Sequence, residues 1–138
     1  VCFRMADEFF AAIEATKDEN TSATEQLRQA ISAHVKVLTR NTEASAVFLQ
    51  EWRHLSEPFL SEFLTLRDRY EYYFREIIRQ GIASGEFQVP DAKFAVLTIL
   101  SGLNWIHTWY KPDGKMNPAE IAENLSAMLL NGLKTNLN

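Results

Sequence analysis

What this sequence has little of narrows its role before any motif is weighed. It holds one cysteine, Cys2, in 138 residues. That excludes an intrachain disulfide and a cysteine-based metal site, and it fits a reducing, cytoplasmic compartment. Basic residues are outnumbered, 14 Lys and Arg against 18 Asp and Glu for a net charge of -4. Without a basic excess the chain alone is a poor match for a phosphate backbone. No apolar run reaches the roughly 20 residues that span a bilayer, since 94–110 is broken by Ser101, Asn104 and His107, so no membrane partner is expected. No stretch alternates with period two, and a Gly-rich phosphate loop, Gly-x-Ser-x-Gly and His-Glu-x-x-His are all missing. Neither a sheet, a conventional enzyme nor a cofactor is therefore expected. A signal peptide is also missing, and the chain opens at Val1 in mid-pattern, which reads as a fragment lacking its N-terminal part.

What is present is helical periodicity from end to end. With 46% hydrophobic and 23% charged residues, residues 1–138 read as one globular, all-α domain of about six helices. Cys2, Phe3, Ala6, Phe9, Phe10 and Ile13 share one face of a first helix over 2–16. Ser22 with Glu25 forms a capping box for a second, whose core face is Leu27, Ile31, Val35 and Leu38. A shorter third helix carries Ala44, Val47, Phe48, Trp52 and Leu55 on one side, and Ser56 and Pro58 stop it. The fourth, over 57–84, is the longest and forms the spine, with Phe59, Phe63, Leu66, Tyr70, Phe74, Ile77 and Ile78 at spacings of three and four. Gly85 fits a left-handed cap at its end, Phe87, Val89 and Pro90 an extended link, and Asp91 the cap of the next helix.

The rest of the chain is organised around 94–133. At about 100° per residue, Ala92, Val96, Ile99, Leu103, Ile106 and Tyr110 form one seam, while Phe94, Leu97, Trp105 and Trp109 occupy other sides. No side of this helix is wholly polar, so it should be buried all round. After a break at 111–117, Asn117 caps the sixth helix, with Pro118 at its first position and Glu120 at the third. Ile121, Leu125, Met128, Leu129, Gly132 and Leu133 then span a broad apolar arc. An arc this wide can serve both the chain's own core and the same surface of a second copy. The interface residues expected on that ground are Ile99, Leu103, Ile106, Tyr110, Ile121, Leu125, Met128, Leu129 and Gly132, and a homodimer is the expected state.

Few residues carry chemistry. Glu51-Trp52-Arg53-His54 has the Glu-x-x-His spacing of a di-iron helix, but the second such motif and the further inward carboxylates are missing, so no metal is expected and His54 reads as a surface residue. His34 and His107 lie beside apolar faces, where a hydrogen-bonded core histidine is the commoner role. Arg67 falls between Phe63, Tyr70 and Phe74, and a charge there needs a partner. Either Glu71 supplies it one turn on, or Arg67 anchors an anionic ligand. Asn104, Trp105 and Trp109 are either core or the wall of a cavity. Phe10, Trp52, Phe63, Tyr70, Trp105 and Trp109, with Arg67, Asn104 and His107 as the polar groups, would line a pocket suited to a long or multi-ring apolar body with one anionic or carbonyl end.

Several of these residues recur together in a familiar arrangement: Arg69-Tyr70 with Phe74 and Ile77-Ile78, Gly81, Gly85-Glu86-Phe87, Asp91, Ile99-Leu100-Ser101-Gly102, Asn104-Trp105, Trp109-Tyr110-Lys111-Pro112, Gly114, Glu120-Ile121-Ala122 and Gly132-Leu133. The pattern resembles the C-terminal domain of TetR/AcrR-family transcriptional regulators, above all the branch regulating fatty-acid, steroid-ring and related acyl-CoA breakdown. The resemblance implies an effector-binding domain of a bacterial repressor, its last two helices packed on their copies in a symmetric four-helix interface. It implies an acyl-CoA or hydrophobic carboxylic acid as effector, seated between the first helix and the spine, where it would shift the spacing of two DNA-binding heads. Operator DNA would be reached only through an N-terminal helix-turn-helix missing from this chain. A ligand-free dimerisation module and a helical metal enzyme are the alternatives.

Overall fold

The computed structural model describes residues 2–134 apart from the side chain of Cys2, so the apolar role expected of Cys2 lies outside the described residues. Six α-helices follow in order: α1 (Cys2–Glu14), α2 (Ala23–Arg40), α3 (Thr42–Glu51), α4 (Phe59–Ala83), α5 (Ala92–Trp109) and α6 (Pro118–Leu133), with a single 3-10 turn at Trp52–His54 between α3 and α4. The described residues hold no sheet; an isolated antiparallel bridge pairs Phe87 with Lys134.

The helix ends follow from local sequence. Asn117 and Glu120 exchange hydrogen bonds, the Asn117 side chain taking the Glu120 N–H and the Glu120 carboxylate the Asn117 N–H, with Pro118 at the first position of α6. Asp91 accepts from the N–H groups of Lys93 and Phe94 at the start of α5. Gly85, at φ 83, supplies the left-handed residue just past α4. The capping box at α2 forms only by half. Ser22 accepts from the Glu25 N–H at 3.2 Å, but the Glu25 carboxylate turns along the helix to Arg28 and Gln29. Glu86, far off in sequence, takes the N–H groups of Ala23 and Thr24 instead.

The core lies around α2, which packs on α1, α4, α5 and α6. Leu27, Ile31, Val35 and Leu38 are fully buried there, together with Phe9 of α1, Phe74 and Ile78 of α4, and Leu130 of α6. One end of α1 is tied down by polar contacts. The Tyr73 hydroxyl donates to the Ile13 carbonyl at 2.9 Å, and Gln26 donates to the Thr16 carbonyl while accepting from the Asp18 N–H. On α3 the fully buried residue is Ser45, whereas Val47 points to solvent, so the core side of that helix is rotated from the one its apolar residues suggest.

The faces of α5 correct the reading of a helix buried all round. Ile99, Leu103 and Ile106 are buried in the chain's own core, as is Ile121 of α6. The seam expected to meet a second copy is therefore the inner side of α5. Its outer side carries Phe94, Trp105 and Trp109, with Phe94 70% and Trp105 65% exposed, and Leu97 is also exposed. On α6, Met128 is 76% exposed and Leu125 and Leu129 are half-buried, while Gly132 is exposed and Tyr110, just past α5, is partly buried. A groove lined by Phe94, Thr98, Met128 and Gly132 sets the outer sides of the two helices next to one another.

Candidate functional site

A cavity of about 480 Å³ opens between α1, the end of α3, α4 and α5, with His34 of α2 in its wall. Helical spacing explains which side chains reach it. Phe63, Arg67 and Tyr70 recur on one stripe of α4, and Leu97, Ser101 and Asn104 on one stripe of α5. Ala6, Phe9 and Phe10 come from α1, and Phe48, Leu49 and Trp52 from α3 and the turn after it.

Aromatic rings form most of the wall. Phe9 stacks on Phe48 with centroids 5.5 Å apart, and Phe48 meets Phe63 edge-on at 5.2 Å. Phe63 lies nearly parallel to Trp52, at 5.9 Å and 8°. Phe10 meets Tyr70 at right angles. Such rings present broad apolar surface with little rotamer freedom to lose on binding.

Arg67 stands at the rim rather than between apolar side chains. It is exposed, and its guanidinium lies over the Trp52 ring at 4.6 Å from the centroid, with Arg53 also over that ring at 5.4 Å. The internal pair with Glu71 does not form, because Glu71 is held by Arg75 at 2.6 Å. Among the described residues no carboxylate pairs with Arg67, so a cation remains free at the mouth of an apolar cavity.

The inner end is polar. His34 is 2% exposed, and its Nδ1 lies 2.7 Å from the Tyr70 hydroxyl. Burial pulls the His34 pKa down to about 3, opposed by the Asn104 side chain, so the imidazole is neutral near pH 7. Burial likewise pushes the Tyr70 hydroxyl well above its ordinary value, with Tyr73 adding to it.

Of the residues expected to line a pocket, the structure brings together Phe10, Trp52, Phe63, Arg67, Tyr70 and Asn104. Trp105 and Trp109 are not with them; they stand on the outer side of α5. His107 is engaged with the Asn104 carbonyl and Gln50. His54 pairs with Glu51 in the open, and among the described residues no three His, Cys, Asp or Glu side chains gather as a metal site would need. Sequence reasoning passed over Phe48, Leu49 and Leu100, and placed His34 in the core without a cavity beside it. Its spacing of three residues from Ile31 and four from Leu38, on the buried stripe of α2, was the available signal.

Comparison with known proteins agrees with this architecture. The family described as tetracyclin repressor-like, C-terminal domain, matches residues 20–133. The HTH-type transcriptional repressor KstR2 of Mycolicibacterium smegmatis is 23% identical over 92% of this chain and 63% of its own length, so the chain spans less than two thirds of that repressor. A bacterial regulatory protein of the tetR family from Rhodococcus RHA1 superposes with a TM-score of 0.90 at 23% identity, over 99% of this chain and 72% of its own. AibR, crystallised with isovaleryl coenzyme A and operator DNA, superposes with a TM-score of 0.84 at 21% identity, over 94% of this chain and 70% of its own.

Proposed function

Because the chain belongs to the tetracyclin repressor-like C-terminal domain family, we propose that it is the ligand-sensing, homodimerising part of a transcriptional repressor whose effector is an acyl-CoA or another hydrophobic anion. The observation that carries this reading is the free Arg67 guanidinium at the mouth of an aromatic-lined cavity. An apolar body enters the cavity, and an anionic end stays in the solvent layer within reach of Arg67. AibR, a structural neighbour, holds isovaleryl coenzyme A in its crystal. That ligand is of the proposed class: a small acyl group on a large anionic carrier.

The same reading supplies the dimer. On the outer side of α5, Phe94 shares a groove with Met128, Leu129 and Gly132 of α6, and Trp105 and Trp109 continue the exposed apolar surface along the helix. Exposed apolar surface of this extent is a liability on a monomer and suits self-association between two copies. Operator DNA is contacted through a separate basic domain, since the charge of this chain, -4, opposes binding to phosphates.

Calorimetric titration with acyl-CoA thioesters of graded chain length, and with their free acids, tests the reading. Arg67→Met should weaken binding by about 1.5–3 kcal/mol and leave the melting temperature unchanged. Equal affinity in both proteins removes Arg67 from the site, and failure of every apolar anion to bind favours a ligand-free dimerisation module.

A further inference from the structure

The polar end of the cavity is a buried cluster whose hydrogen bonding is incomplete. Among the described residues the Tyr70 hydroxyl has one partner, His34 Nδ1 at 2.7 Å. Its hydrogen goes to that nitrogen, because the opposite tautomer leaves the Tyr70 O–H without an acceptor and also sets Nε2, then an acceptor, against the acceptor Oδ1 of Asn104. The single proton of the neutral imidazole therefore sits on Nε2. That N–H is buried without a partner, and so is Oδ1 of Asn104. Both residues line the cavity, and Asn104 is the side chain that acts on His34, although the two fall short of a direct hydrogen bond. An orphan donor thus stands beside an orphan acceptor, a pairing that native interiors rarely leave unused.

We propose that His34 and Asn104 form a recognition site for a hydroxyl group carried on the apolar body of the effector, its oxygen accepting from His34 Nε2–H and its proton donated to Asn104 Oδ1. A hydroxyl is the small neutral group that satisfies both atoms at once. An ether or ketone oxygen answers His34 and leaves Asn104 unpaired, and a methyl group answers neither. A carboxylate would set its charge against Asn104 Oδ1 with no cation on the imidazole. Phe9, 4.6 Å from the His34 ring, and Phe48 stacked on it flank this end with apolar surface, so the atoms carrying the hydroxyl are hydrocarbon. The inference rests on the ligand-sensing role proposed for the cavity, but it uses the inner end and not the Arg67 rim.

The test uses three probes of matched shape that carry no charge: 2-naphthol, 2-methoxynaphthalene and 2-methylnaphthalene. Dissociation constants are measured on the full chain by competition with an environment-sensitive dye. Transfer from water favours the methyl compound, so a preference for 2-naphthol requires polar contacts in the site. The wild-type chain should bind 2-naphthol at least about tenfold more tightly than 2-methylnaphthalene, with 2-methoxynaphthalene between them, and the His34 Nε2–H proton resonance should move downfield on binding 2-naphthol and 2-methoxynaphthalene but not on binding 2-methylnaphthalene. Asn104→Leu should bind 2-methylnaphthalene as well as or better than wild type while losing the preference. His34→Gln, which keeps a donor, should retain part of it. Equal or tighter wild-type binding of the methyl compound, or an unchanged preference in Asn104→Leu, overturns the hydroxyl site and leaves the effector reading standing. Failure of all three probes to bind also overturns it, and the acyl-CoA titration then decides the wider reading separately.

Discussion

The Glu86 carboxylate closes the N-terminus of α2 from the far side of the α4–α5 link, taking the Thr24 N–H at 2.9 Å and the Thr24 hydroxyl at 2.8 Å. It also accepts from the Ala23 N–H at 3.2 Å and the Ser84 hydroxyl at 2.6 Å. With Ser22 on the Glu25 N–H, consecutive free donors of the first turn are answered, and a negative charge lies at the positive end of the helix.

That arrangement makes stability pH-dependent. Burial raises the Glu86 pKa, but the hydrogen bonds from Ser84, Thr24 and Ala23 outweigh it and hold the group at about 2, against 4.5 unperturbed. A carboxyl depressed in the folded state stabilises fully above its unfolded value and loses that contribution as pH falls through the folded one. Glu86→Gln should therefore cost about 1–2 kcal/mol at pH 7. In urea unfolding, the gap between variant and wild type should narrow between pH 4.5 and 2.

Gly81 is fixed by a close approach. A Cβ built there falls 2.0 Å from Cδ2 and 2.7 Å from Cγ of Phe87, a buried ring whose backbone N–H is bonded to the Gly81 carbonyl. Helix propensity alone would favour alanine by about 0.5–1 kcal/mol. Displacing the ring costs more, so Gly81→Ala should lower stability by about 1–3 kcal/mol, read as a shift of the urea midpoint at constant slope.

Self-association should depend on the outer side of α5 and on α6. Sedimentation at micromolar concentration is expected to show a dimer. The double variant Trp105→Glu with Met128→Glu should sediment as a monomer with its helical circular dichroism intact, because both side chains are exposed in the single chain. A dimer that persists in the double variant places the interface elsewhere.

The chain alone should leave mixed-sequence duplex DNA unshifted in a mobility assay near physiological salt, given its net charge of -4. Lowering the salt tenfold should not produce a specific band.

Helix order and ends were legible because caps are local: Asp91, Asn117 with Glu120, and Gly85 each act within a few residues of where they stand. Long-range partners were not. Nothing near Glu86 announces that Thr24 will receive it, and the Ser22–Glu25 spacing offered a plausible local substitute. The assignment of faces on α5 failed for another reason. A helix apolar on every side gives periodicity no contrast, so Ile99 and Trp105 could not be ordered into inside and outside without the partner helices. Six of the nine expected pocket residues nevertheless converge on one cavity, four of them from α4 and α1, which have contrast enough to fix their inner stripes.

The tether at the end of α1 has a mechanical consequence. Tyr73 holds the Ile13 carbonyl and Gln26 the residues just beyond, while Ala6, Phe9 and Phe10 overhang the cavity. The helix is a lever with its fulcrum at the C-terminal end and its load in the middle. From Ile13 to Phe3 is about 15 Å of helix at 1.5 Å per residue, so a tilt of about 5° would carry the Phe3 end, packed edge-on against Phe59, roughly 1.3 Å. A displacement of a fraction of an ångström at Phe9 would thereby grow toward the opposite end of the helix, where Phe3 lies about one turn beyond Ala6 at the cavity wall.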